Sequence, residues 1–219
     1  EFFGTKLARK LVGAGKRPDL IIGNNVLAHV PDINDFVEGL RILIKDTGVL
    51  TMEFPHLMRL VEENQFDTIY HEHFSYLSFT TVCKIFAAHG LEIFDVEEIP
   101  THGGSLRIYA RHAKRKFSCA SCSPLLRGDR GVSLLGKEKD RGMTSLQDYS
   151  SFQSKADNVK YDLLSFLIAQ KQKGKRVAAY GAAAKGNTLF NYCGVKKDLV
   201  AFVVDRSPHK QGLFMPASH

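Results

Sequence analysis

An α/β architecture in two parts is what the sequence predicts, and three observations predict it. Two short apolar runs, Asp19–Gly23 (DLIIG) and Val49–Phe54 (VLTMEF), are bounded by polar or turn residues and read as strands buried on both faces of a parallel sheet. Between them, behind Pro31–Asp32, Phe36, Val37, Leu40, Leu43 and Ile44 recur at helical spacing. Near the C-terminus a strand-like run Arg176–Tyr180, a small-residue turn Gly181–Gly186 (GAAAKG) opening a helix, and a parallel strand Leu199–Asp205 repeat the same order. The expected domains are residues 1–112, a connector over 113–144, and a smaller α/β domain over 145–219.

Taken in order, Phe2–Phe3 reads as the end of a short strand, followed by an amphipathic helix with Leu7, Leu11 and Val12. The strand Asp19–Gly23 delivers Asn24, Asn25 and His29 just past its C-terminal end, where open α/β sheets gather their ligands. Asp46–Thr47–Gly48 stops the next helix, and Val49–Phe54 brings Glu53 and His56 to the same edge. A helical run His56–Glu63 precedes the polar stretch Asn64–Tyr76, and an apolar helix follows it, with Val82, Ile85 and Phe86, ending at His89–Gly90. Leu91–Val96 and Ser105–Ala110 form a hairpin through Pro100–Gly104, where Gly103–Gly104 suits a tight turn or close approach to a ligand. Lys114–Met143 shows no periodicity, and Leu146–Ala169 carries Tyr149, Phe152, Val159, Leu163 and Leu167 on one helical stripe.

Composition narrows the classes. A 219-residue chain with 44% hydrophobic residues supports a packed core of one large or two small domains. No apolar run approaches the roughly 20 residues a membrane helix needs, and no charged start leads into an apolar leader, so a cytoplasmic protein is expected. Cys83, Cys119, Cys122 and Cys193 include one CxxC pair with no second pair to complete a zinc site, and they read as free thiols. The net charge of +7 resides in Arg107–Arg141, which holds ten basic and three acidic residues. That run has few aromatics and matches no nucleic-acid-binding motif, so it reads as a solvated connector and no nucleic-acid partner is expected.

The stretch NQFDTIYHEHFSY (Asn64–Tyr76) concentrates titratable side chains: Tyr70, His71, Glu72, His73 and Tyr76 lie within seven residues. Its flanks favour a loop, in which several of these groups can converge to move a proton near neutral pH. HEH is too closely spaced for the zinc-binding HEXXH helix, so no metal is expected, and a cluster of hydrogen-bonded structural histidines is the competing reading.

That stretch, together with NNVLAHVPD (Asn24–Asp32), THGGSLR (Thr101–Arg107) and YGAAAKGNTLFNYCG (Tyr180–Gly194), resembles the S-adenosylmethionine-dependent C-methyltransferases of nucleotide-linked (NDP or TDP) deoxysugars. The motifs follow in one order over nearly the whole chain. The resemblance implies part of a Rossmann-like class I methyltransferase sheet, closed by the hairpin, and then the family's C-terminal α/β domain. In that family a zinc-binding piece with four cysteines and a glycine-rich cofactor loop precede these motifs. The chain therefore reads as a fragment that starts after them, that is inactive alone, and whose C-terminus is cut short.

The reaction so implied moves a methyl group from S-adenosylmethionine to a carbon next to the ketone of a nucleotide-linked keto-deoxysugar. Such a carbon must lose a proton before it attacks, so a base and an enolate stabiliser are required. Matching the motifs makes His73 the base, with Tyr70 and Glu72 beside it and His29 near the developing oxyanion, the division of roles among these four staying open. It puts Asn24 and Asn25 near the cofactor, and Gly181, Lys185, Asn187 and His102 near the nucleotide sugar. A helix start with Lys185 nearby suits an anionic group in any case. Two alternatives stand beside this: an NAD-dependent nucleotide-sugar enzyme using the C-terminal unit, although GAAAKG lacks the middle glycine of GxGxxG, and a non-catalytic nucleotide-sugar-binding remnant.

Overall fold

The computed structural model describes residues 1–113 and 129–217. They form two units, Glu1–Glu63 with Glu72–Tyr149, and Asn64–His71 with Ser150–His219. Cys119 and Cys122 lie outside the described residues; Cys193 is a free thiol.

The first unit is a four-stranded mixed sheet with helices. Its elements are α1 (Thr5–Gly13), β1 (Leu20–Asn24), α2 (Ile33–Leu43), β2 (Val49–Pro55), α3 (Leu57–Glu62), α4 (Phe79–Ala88), β3 (Leu91–Ile99), β4 (Ser105–His112) and α5 (Asp129–Asp140). The strand order is β1-β2-β4-β3. β1 and β2 are parallel, with Leu20 opposite Val49 and Asn24 opposite Glu53. β4 runs antiparallel to both β2 and β3, so the hairpin closes on itself and onto the parallel pair.

The sequence explains why these elements form. Asp32 caps α2 by accepting the Asp35 amide at 2.9 Å, and Ser78 caps α4 by accepting that of Thr81 at 3.1 Å; each such cap is worth about 1 kcal/mol. Phe36, Val37 and Leu40 of α2, Val82 and Phe86 of α4, and Leu50, Met52 and Phe54 of β2 meet in one core with Leu106 and Ile108 of β4. Fully burying each large apolar side chain contributes about 1.5–3 kcal/mol. Gly39 allows α2 to approach the start of α1, since a Cβ there would lie 2.8 Å from the Gly4 carbonyl carbon.

Three expectations need correction. Residues 2–3 form no strand, and the chain enters directly at α1. β1 is not buried on both faces: it is the terminal strand of the order, and Leu20 and Ile22 are exposed. An apolar run of five residues does not distinguish a central strand from an edge one. The stretch expected to be irregular contains a helix of 12 residues, α5, which buries Leu134 and Glu138 in the first unit.

The second unit contains α6 (Phe152–Gln172), β5 (Ala179–Tyr180), α7 (Ala184–Cys193) and β6 (Val203–Val204). β5 and β6 are parallel as expected, but each regular pairing is only two residues long. The helix expected from Leu146 begins at Phe152, after a 3₁₀ turn at Leu146–Tyr149. Leu167, Cys193, Val195 and Val200 form its core. Asn64–His71 joins this unit through Asn64 Nδ2, which donates to the Lys155 carbonyl at 3.1 Å, and through Phe66, whose ring lies 4.9 Å from that of Tyr192. Among the described residues no helix is long and apolar enough to cross a membrane.

Candidate active site

The C-terminal ends of β1 and β2 build the first wall. Asn25 follows β1 with a left-handed backbone (φ 54°), and its amide donates to the Glu53 carbonyl at 2.9 Å. That conformation costs most residues about 1–2 kcal/mol but is tolerated by asparagine. Glu53 is itself fixed: its buried carboxylate accepts from Thr101 Oγ1 at 2.8 Å and from Arg107 Nη2 at 3.1 Å. Asn25 Oδ1 is buried and, among the described residues, has no hydrogen-bond partner. A buried acceptor left open in this way costs about 1–3 kcal/mol unless something outside the protein donates to it.

The next turn brings the histidines together. A 3₁₀ turn at Leu27–His29 buries Leu27 and Ala28 and turns His29 toward the segment Glu72–Tyr76. The amides of Phe74 and Ser75 both donate to the Ala28 carbonyl, at 2.9 and 3.2 Å. His29 Nδ1 lies 2.8 Å from the Glu72 carbonyl oxygen. A carbonyl only accepts, so Nδ1 must carry the hydrogen, and in the neutral ring Nε2 is left with the lone pair. Nε2 is buried and, among the described residues, without a partner. The His73 ring sits 4.8 Å from that of His29, tilted by 54°, and Tyr76 meets His73 edge-on at 5.8 Å. His29, His73 and Tyr76 thus form one cluster at the end of the sheet, with one ring nitrogen of fixed tautomer.

The other expected site residues are placed as follows. Glu72 joins through its backbone carbonyl, while the residue is exposed. Tyr70 is half-buried in the Asn64–His71 segment of the second unit, its amide donating to the Thr68 carbonyl at 3.1 Å. Asn24 is exposed at the end of β1. His102 is exposed in the Thr101–Gly103 turn with a left-handed backbone (φ 54°).

In the second unit, Gly181 turns the chain at φ 98°, and the turn is clamped by Asp205. The Ala182 and Ser207 amides donate to the Asp205 carboxylate at 2.7 and 2.8 Å, and Lys210 Nζ donates to the Ala182 carbonyl at 2.7 Å. The Ser207 amide, then that of Ala182, holds the Asp205 carboxyl below the usual aspartate range. The dinucleotide reading needs this acid for a ribose, and here it is committed to the protein's own turn. α7 starts without a side-chain cap, so its first amides face outward beside Lys185. Asn187 Oδ1 is buried and, among the described residues, unpartnered, and Asn187 lines a cleft of about 1100 Å³ with Ala182, Phe190, Lys210 and Phe214. Lys185 is half-buried on α7 and is not among the residues lining that cleft.

Sequence reasoning missed the partner of His56. That ring is buried, and its Nε2 lies 2.7 Å from Glu138, a residue 82 positions away in the stretch read as a connector. No local signal marks such a pairing.

Two family models match the chain. Residues 100–219 match the model of the C-methyltransferase C-terminal domain, and residues 5–96 match that of a methyltransferase domain. The chain is 33% identical over 199 residues to C-methyltransferase NovU of Streptomyces niveus, covering 91% of this chain and 46% of the relative. It therefore spans about half the length of the curated relative it matches. Among solved structures, a methyltransferase in complex with its Trm112 activator from Haloferax volcanii is similar over 45% of this chain and 56% of that one (TM-score 0.39, 12% identity). Magnesium protoporphyrin IX methyltransferase of Synechocystis PCC 6803, solved with bound SAH, is similar over 45% of this chain and 47% of its own (TM-score 0.36, 16% identity).

Proposed function

Given that this chain belongs to the family defined by the C-methyltransferase C-terminal domain, we propose that it serves S-adenosylmethionine-dependent methylation of a carbon next to the ketone of a nucleotide-linked keto-deoxysugar. The observation that carries the reading is the His29–His73 pair, with the Nε2 lone pair of His29 buried and open, on two of the motifs that carry the family resemblance. S-adenosylmethionine supplies an electrophilic methyl group. The residues at the end of β1 suit it: the unpartnered Asn25 Oδ1 accepts from a ligand that brings hydroxyl or ammonium hydrogens, and Asn24 lies beside it.

In this reading His73 removes the proton from the carbon α to the ketone, and the charge collects on the ketone oxygen as an enolate; the enolate carbon would then bond the methyl group as the ketone re-forms and the methyl–sulfur bond breaks, with S-adenosylhomocysteine leaving. His29, Tyr70 and Glu72 act around the enolate. His29 donates from Nε2 to the oxyanion when its ring is protonated; its Nδ1–H stays on the Glu72 carbonyl in either state. Tyr70 offers a phenolic O–H for the same charge. The start of α7 with Lys185, and Gly181, Asn187 and His102, serve the nucleotide diphosphate end, where unpaired amides and a cation favour an anion. The same reading assigns residues 1–112 and 145–219 to the methyltransferase and C-terminal domains.

The test is to incubate a protein of the relative's length carrying this chain with a nucleotide-linked keto-deoxysugar in D₂O. The base alone should exchange the α-hydrogen for deuterium, and adding S-adenosylmethionine should give a product one methyl group heavier. Methylation on oxygen, or no exchange and no methyl transfer, overturns the reading.

A further inference from the structure

The catalytic roles above use His29 and His73 but leave unexplained a second histidine, His56, which is 1% exposed, and the carboxylate it meets, Glu138, which is 0% exposed. Burying an ionised carboxylate costs several kcal/mol, and an apolar pair of the same volume is often neutral or more stable. Stability alone therefore gives no reason for this arrangement, whereas direction does. Glu138 Oε1 accepts from His56 Nε2 at 2.7 Å and from the Phe79 amide at 2.6 Å; Oε2 accepts from the Thr80 amide at 2.8 Å and from Thr80 Oγ1 at 2.6 Å. With Ser78 Oγ accepting the Thr81 amide at 3.1 Å, the first three amides of α4 are all taken, two of them by a residue of α5.

The same node reaches backward. His56 pairs with Leu77 as an isolated parallel bridge, and the Leu57 amide donates to the Leu77 carbonyl at 3.0 Å. The segment Glu72–Ser78, which carries His73 and Tyr76, is thus pinned at both ends. Upstream it is held by the Ala28 carbonyl and His29 Nδ1, and downstream by His56 and Glu138. Only Tyr76 lies between Ser75, the last residue of the upstream pin, and Leu77, the first of the downstream one, so a shift at the downstream pin is passed to Tyr76, whose ring meets that of His73 edge-on at 5.8 Å.

We propose that Glu138, through His56 and the start of α4, is a positioning residue for the His73 segment of the active site. It touches no reacting atom; it fixes where the His73 and Tyr76 rings stand against His29. The inference rests on the catalytic reading above, and its test separates the two.

The experiment uses a protein of the relative's length carrying this chain, with selectively ¹⁵N-labelled histidines. Glu138→Gln keeps the shape but turns one acceptor oxygen into a donor facing amides; it is expected to lower kcat about 10²-fold while KM for both substrates stays within about threefold, the mark of lost alignment. In the same variant the His29 Nδ1–H signal, which reports the bond to the Glu72 carbonyl, should broaden or vanish. A folded Glu138→Gln protein with unchanged kcat and an unchanged His29 signal overturns the proposal, as does a parallel change in kcat and both KM values. If that variant does not fold, a second pair decides: His56→Gln, which still offers an N–H to Glu138, should retain turnover, and His56→Leu should not. Equal turnover in the two overturns the proposal. If the parent fails to methylate keto-sugars, the catalytic reading falls while the His29 signal still decides the positioning role.

Discussion

His29 and His56 are the same residue type at the same end of the same sheet, and the protein uses them in opposite ways. His56 is fully enclosed and turns its Nε2 to a charged carboxylate. His29 is half-buried and gives its Nδ1–H to a neutral backbone carbonyl. A carboxylate partner makes the first a permanent member of a buried charge network. A carbonyl partner orients the second ring without a charge beside it; in both rings the other nitrogen is buried and, among the described residues, without a partner. The difference lies in the partner, so the two positions should separate rate from stability when they are altered.

The largest effect is expected on rate. His73→Asn, in a protein of the relative's length, should lower turnover about 10²–10⁴-fold with cofactor affinity intact, the usual loss when a general base is removed. Rates within a few-fold of the parent would take His73 out of that role. His29→Asn and Tyr70→Phe should each cost about 10²–10³-fold, as for one oxyanion donor, with thermal midpoints unmoved. At the buried histidine the balance reverses: His56→Ala should cost about 3 kcal/mol of stability, because it leaves Glu138 enclosed with one donor fewer. Denaturant unfolding of both histidine variants reads this contrast directly, and equal destabilisation at positions 29 and 56 would break it.

The same network predicts an acid limb. Burial pushes the Glu138 carboxyl up, but hydrogen bonds from the His56 ring, the Thr80 hydroxyl and the Thr80 and Phe79 amides outweigh it and hold the group below its ordinary 4.5. A carboxyl lowered in the folded state contributes stability that is fully present above about pH 4.5 and is lost as pH falls through the folded value. Urea midpoints measured from pH 6 downward should therefore drop below about pH 4.5, and Glu138→Gln should flatten that limb. An identical acid limb in Glu138→Gln would show that other carboxylates carry it. The smallest effect concerns Lys185. Its replacement by alanine should weaken nucleotide-sugar binding by about 1 kcal/mol or less, the scale of one charge at a helix end, and leave cofactor affinity unchanged. Calorimetry with each ligand distinguishes this from a cofactor role.

What could be read from the sequence follows from how local each cause is. α2 and α4 were legible because their apolar residues recur every turn, those of α2 behind Asp32. The β3–β4 hairpin was legible because its turn is short and marked by Pro100 and Gly104. α5 was not: its apolar stripe is narrow, with Gly131 and Gly136 inside it, and Lys137, Glu138, Lys139 and Asp140 make its last turn look solvated. Glu138 is buried only because His56, Phe79 and Thr80 meet it, and nothing near it in the chain announces them. At the site, the grouping of His29 with His73 followed from the motifs, but the tautomer of His29 did not. It depends on a backbone carbonyl 43 residues away, which no side-chain pattern encodes.

The cap on α4 also has a consequence in time. Its Phe79 and Thr80 amides are completed by a carboxylate 58 to 59 residues further along the chain. At a synthesis rate of about 5–20 residues per second, the ribosome delivers Glu138 about 3–12 s after Thr80. Until then the Phe79 and Thr80 amides at the start of α4 lack this acceptor, and the His73 segment joined to it has only its bonds to Ala28, His29 and Leu57. The parallel pair of β1 and β2 can form during that interval, but the cap on α4 is complete only when α5 arrives.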